Sequence, residues 1–167
     1  MADFAKYASK LLQLESDYCW HPENQGGPIC KGVRLKTYQQ HYGKDKTKED
    51  LRDISYGEWC SVVKASYWDV IKGDMIENQS LAEIIADWAV VDGLLGVRKV
   101  QEIVGCISDG IVGPITLSMI NTSNAEFLHE RIWKARQQSY INIVKRNPLQ
   151  KILMNRWMSR LNQLMFE

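Results

Sequence analysis

A serine followed three residues later by glutamate, just ahead of an apolar run, marks the start of a helix, and this chain carries that pattern three times. Ser55-Tyr56-Gly57-Glu58, Ser80-Leu81-Ala82-Glu83 and Ser123-Asn124-Ala125-Glu126 each fit the capping box, in which serine and glutamate satisfy orphan backbone donors reciprocally. After the first box, Trp59, Val62, Val63, Tyr67, Val70 and Ile71 form a stripe at helical spacing. After the second, Leu81, Ile84, Ile85, Trp88 and Val91 do the same. The third opens a long helix that ends before Asn147-Pro148, and that pair starts a last helix with Leu149, Ile152, Leu153 and Trp157 facing inward. At the other end, Phe4, Ala8, Leu11, Leu12 and Glu15 share one face of a first helix spanning roughly residues 2–17. A shorter helix near Val97 to Val104 stops at Gly105, and Pro114 opens another at its first position. The fold predicted is mainly α.

Between these elements the breakers are concentrated. Cys19 to Gly32 holds Pro22, Gly26, Gly27, Pro28 and Gly32 and must be irregular. A short piece around Val33 to Tyr42 reads as helical or partly extended, and residues 43–53 read as charged loop. Apolar residues make up 45% of the 167, with six Trp and seven Tyr, enough to build a core without staples. Twenty-one basic and twenty acidic residues leave a net charge of +1 with the signs interspersed, so no strong field points toward nucleic acid or an acidic membrane. No apolar run reaches the roughly 18 residues of a membrane span. Met1 to Leu14 alternates polar and apolar residues with no signal-peptide core, so a cytoplasmic product is expected; a monomer is expected as well. Cys19, Cys30, Cys60 and Cys106 form no CxxC pair, and His21, His41 and His129 have no second ligand at metal spacing. No metal and no cofactor are therefore expected. Cys19 and Cys30 lie close enough in sequence to bridge the loop, but free buried thiols are the expected state.

One carboxylate stands apart. Most acids fall where solvated acids belong, whereas Glu15 continues the apolar stripe one turn beyond Leu11 and Leu12, in the last turn of the predicted helix. Desolvation and the negative end of the helix dipole both disfavour its anion. A carboxyl that keeps its proton is what a general acid in glycoside cleavage requires, the logic of the lysozyme glutamate. The plainer alternative is a Glu15 paired with Lys or Arg at the helix end.

The surrounding residues carry a resemblance. Glu15-Ser16-Asp17-Tyr18, then Pro22-Glu23-Asn24-Gln25-Gly26-Gly27 and Gly32-Val33, resemble the opening of glycoside hydrolase family 108, whose members are N-acetylmuramidases. Downstream, Tyr67-Trp68 resembles the family's Tyr-Trp pair, and Asp87 to Gly93 resembles its Asp-x-Ala-Val-Asn-x-Gly segment. Val100-Gln101 with Asp109-Gly110-Ile111-Val112-Gly113-Pro114-Ile115-Thr116 resembles the peptidoglycan-binding half that accompanies the catalytic half. The resemblance implies a lysozyme-like compact helical bundle with one short extended or hairpin segment near residues 28–38. It also implies a catalytic half over 1–77 and a peptidoglycan-binding half over 78–167, packed as one unit. Departures are concentrated near the acid. Ser16 and Asp17 replace two glycines, Ile29 stands at a Thr, Lys31 at an aromatic, Val33-Arg34 at Ile-Thr, and Asp92 at an Asn.

The reaction so implied is hydrolysis of the β-1,4 bond between N-acetylmuramic acid and N-acetylglucosamine, with Glu15 as acid. A second carboxyl is normally needed. Glu23 matches a family acidic position after Pro22, and Asp17 is the other candidate in the stretch; either also reads as a solvated loop acid. Tyr18, Tyr38, Tyr67 and Trp68 offer ring faces for stacking on pyranose C–H faces, or fill the core. Tyr67 lies on the stripe with Val63 and Val70 and reads as core. Trp68 lies off it and reads as a groove wall, and Asp92 completes the substrate-binding candidates. Partners would be peptidoglycan glycan strands, reached by a holin-assisted route or by lysis. The competing reading is a catalytically impaired binding module or a secretion-associated interaction protein.

Overall fold

The computed structural model describes residues 1–20 and 26–167, arranged as two compact units: 3–70, and 71–167 joined by Met1 and Ala2. In the first, α1 (Phe4–Leu14) opens on Asp3, whose side chain accepts from the Ala5 N–H, and buries Tyr7, Ala8 and Leu11. It is shorter than predicted. Glu15 lies just past the last turn, in extended conformation. The chain then forms a three-stranded antiparallel sheet, β1 (Tyr18–Cys19), β2 (Ile29–Cys30) and β3 (Val33–Arg34), in the order β1-β2-β3. The hairpin joining β2 and β3 falls inside the segment expected to be extended. Its turn, Lys31-Gly32, has φ of 48° and 82°, the paired positive values of a type I′ turn, which matches strand twist. Cys19 faces Ile29 across the ladder and Cys30 faces Tyr18. Directly opposed residues share a face, so the two thiols point to opposite sides and stay unbridged. All four cysteines are free, but only Cys30 is buried; Cys19 is exposed, against expectation.

After β3 come α2 (Leu35–Tyr42), α3 (Lys48–Arg52) and α4 (Tyr56–Val63). The segment expected to be loop thus contains α3, started by a true capping box between Thr47 and Asp50. The Ser55–Glu58 box caps α4 as predicted, with Ser55 Oγ accepting from the Glu58 N–H at 3.3 Å. Beyond it the helix widens into a π-helical turn over Lys64–Trp68. The extra residue per turn rotates the following side chains, so Tyr67 and Trp68 both reach the core.

The second unit holds a 3-10 turn (Gly73–Met75), then α5 (Gln79–Asp92), α6 (Leu94–Val104), α7 (Pro114–Thr122), α8 (Ala125–Arg146) and α9 (Met154–Asn162). α5 is buried on every side from Ser80 to Ala89 and forms the centre of this unit. α6 ends on Gly105 at φ 82°, and α7 begins with Pro114, both as predicted. The second and third boxes do not cap. Asn78 caps α5 and Asn124 caps α8. The last predicted helix begins instead as 3-10 turns over Pro148–Leu153, leaving Leu149 and Ile152 each 85% exposed rather than inward. The fold remains mainly α, as expected.

Candidate active site

The unit over residues 3–70 places Glu15 at the end of α1, half-buried, with its N–H donating to the Leu11 carbonyl at 3.0 Å. Its carboxyl lies over the β2–β3 turn. A Cβ built on Gly32 would stand 2.9 Å from Glu15 Cγ and Cδ and 3.0 Å from Oε1. The turn is itself clamped. Lys31 N–H donates to the Ser16 carbonyl at 3.1 Å, and the buried Trp59 donates its indole N–H to the Lys31 carbonyl at 2.9 Å. The segment after the acid and the hairpin turn therefore hold one another.

Tyr67, almost wholly buried, feels the charge of Glu15. Burial raises its phenol above the ordinary range; a hydrogen bond with Thr37 and the charge of Arg34 oppose this, and the charge of Glu15 adds to it. Glu15, Arg34, Thr37 and Tyr67 thus share one electrostatic neighbourhood, a carboxyl with two hydroxyls and a cation.

Of the remaining sequence candidates, Tyr18 is half-exposed on β1 in this unit. Tyr38 is buried and packs edge-on against Tyr42, so it belongs to the core and lines no groove. Trp68 is a correction too. It is fully buried, stacked on Tyr7 at 5.4 Å and edge-on to Phe4 at 5.8 Å, because the π-helical turn brings it inward. Asp17 is exposed. Glu23 and His21 lie outside the described residues. Asp92 belongs to the other unit, where it is exposed and accepts the Trp88 indole N–H at 2.8 Å. Trp20 escaped the sequence reading. It is 42% exposed, with Lys48 Nζ 4.2 Å from its ring centre. The signal was there in Tyr18 and Trp20, two aromatics at strand spacing, and an exposed indole is a surface on which a sugar can stack.

In the second unit, the Asp-Gly loop is organised by buried Gln101. Its amide donates to Asp109 Oδ1 at 2.9 Å and the Ile111 carbonyl at 3.1 Å, and its Oε1 accepts from Gly110 N–H at 2.7 Å. The Ile111 N–H and Gln101 hydrogen bonds hold the exposed Asp109 carboxyl below the usual carboxylate range. The loop borders a cleft of about 190 Å³ flanked by exposed Ile107, Ile111 and Ile115. Among the described residues, no group of three His, Cys, Asp or Glu is placed to hold a metal ion, and no helix is long and apolar enough to cross a membrane.

A small helical unit with an acid seated on a hairpin, together with a second helical unit, has the architecture of the lysozyme-like mainly α proteins. The structure of Brucella abortus SagA superposes with a TM-score of 0.83 at 23% identity, covering 96% of this chain and 90% of that one. The family profile described as glycosyl hydrolase 108 matches residues 8–93, more than half of the chain, and the chain belongs to that family. A second profile, described as a predicted peptidoglycan domain, matches residues 95–162. No curated protein sequence matches the chain. Together the two profiles define a peptidoglycan hydrolase of the glycosidase type.

Proposed function

We propose that the chain is an N-acetylmuramidase that hydrolyses the β-1,4 bond between N-acetylmuramic acid and N-acetylglucosamine, with Glu15 as general acid. The observation that carries this reading is the half-buried Glu15 carboxyl held against the β2–β3 turn, within the stretch that the glycosyl hydrolase profile matches. From that position Glu15 protonates the departing glycosidic oxygen. Glu23 is the second carboxyl of this proposal, as base or nucleophile. Tyr18 supplies a ring face to the glycan, and Asp92 and the Asp109–Thr116 loop bind the strand through the second unit.

The decisive experiment is digestion of purified sacculi followed by mass spectrometry of the released muropeptides. Native protein is expected to clear the suspension and leave reducing-end muramic acid. Glu15→Gln is expected to abolish clearing, a loss on the order of 10²-fold or more for a removed general acid, with an unchanged melting curve. Clearing by Glu15→Gln would remove the assignment. Sacculi that stay intact yet sediment the native protein would instead favour a cell-wall binding module.

A further inference from the structure

We propose that Gly32 is a positioning residue for the reaction: the Lys31–Gly32 turn is the seat that fixes where the Glu15 carboxyl stands. This rests on the reading of Glu15 as proton donor. Two separate demands meet at Gly32. Its φ of 82° lies in the left-handed region, where a side chain is strained. The space its Cβ would fill is already taken by Glu15 Cγ, Cδ and Oε1, at 2.9, 2.9 and 3.0 Å. The first demand concerns the fold. The second concerns the acid, because the atoms in the way are the far end of a flexible side chain. They yield easily, so a methyl group here leaves the backbone in place and swings the carboxyl off its seat.

The seat is rigid where it matters. Lys31 takes the first positive-φ position of the turn; its carbonyl is held by the Trp59 indole N–H, and its own N–H by the Ser16 carbonyl one residue after the acid. Glu15 therefore cannot recover its place by dragging the turn along. Gly105 provides the matched control. It has the same φ of 82°, but nothing lies within 4 Å of where its Cβ would be. Alanine there incurs the backbone strain without the contact.

The test uses the full chain on soluble glycan strands, comparing native protein with Gly32→Ala, Gly32→Asn, Gly105→Ala and Glu15→Gln. Asparagine tolerates positive φ best among side-chain-bearing residues, so Gly32→Asn keeps the question open should Gly32→Ala fail to fold. Both Gly32 variants are expected to lose roughly 10- to 100-fold in kcat, the scale of an acid misplaced by about 1 Å, with KM changed by less than about twofold. The basic limb of the kcat pH profile, which reports the proton donor, is expected to move. Gly105→Ala should melt earlier by a similar amount yet keep native kcat and pH profile. Native kcat and pH profile in Gly32→Asn, alongside an inactive Glu15→Gln, would overturn the positioning role and leave the donor standing. An active Glu15→Gln would overturn the donor and this role together.

Discussion

Asp87 has no exposed surface and is gripped by two guanidinium groups. Arg136 donates to its Oδ2 at 2.9 Å, and Arg160 donates to Oδ1 at 2.7 Å and Oδ2 at 3.2 Å. Burial alone would raise the carboxyl, but the charges and hydrogen bonds of Arg136 and Arg160 outweigh it and hold it below the usual range. Removing one member of a buried ion cluster strands the others, so Asp87→Asn is expected to cost about 3–5 kcal/mol in chemical denaturation. The linkage sign follows from the direction. A carboxyl lowered on folding contributes stability that is fully present above its unfolded value of about 3.9 and is lost as pH falls through the folded value. Acid unfolding followed on native protein should therefore show this loss below about pH 4, and Asp87→Asn should lack that component. The Asp87 to Gly93 segment was visible as a motif, yet its meaning was not. The partners lie 49 and 73 residues away, and nothing local in the sequence announces them.

Helix starts are decided by competition among neighbouring side chains, and three examples show how. At Ser55 the rival two residues earlier, Asp53, has both carboxyl oxygens taken by Arg52 at 3.1 and 3.2 Å, and the box caps. At Ser80 the side chain of Asn78 reaches the Leu81 N–H at 3.0 Å, starting α5 two residues early. At Ser123 the following Asn124 takes the Phe127 N–H at 2.9 Å, while Ser123 Oγ donates to the Met119 carbonyl and ends α7. Asn124→Ala is accordingly expected to cost ~1 kcal/mol and Ser123→Ala less, measured by thermal melting at matched conditions. Periodicity located these helices because large apolar residues recur at helical spacing along them, even in α5, which is buried on every side. It misplaced Trp68 because a π-helical turn breaks the repeat. It also passed over α3, whose Thr47–Asp50 box uses aspartate and whose residues are mostly charged.

At the scale of the molecule, the class of fold was legible because long stripes of apolar residues dominate both units. Glu15 was legible as a continuation of one of those stripes, although α1 ends one residue before it, at Leu14. The turn beside it was not legible. Two-residue strands carry no alternation to read, and Lys31-Gly32 lacks the Asn-Gly signature of a type I′ turn. Residues 2 and 167 share a destination, for the Ala2 N–H donates to the Ile76 carbonyl at 2.8 Å and the Glu167 N–H to Ser80 Oγ at 3.1 Å. Both ends are thus moored within one turn of the start of α5, which makes the order of the segments separable from their architecture. A circularly permuted chain, joined from 167 to 2 by a short flexible linker and opened between exposed Lys44 and Asp45, is expected to fold with a native circular dichroism spectrum and to clear sacculi as the native protein does.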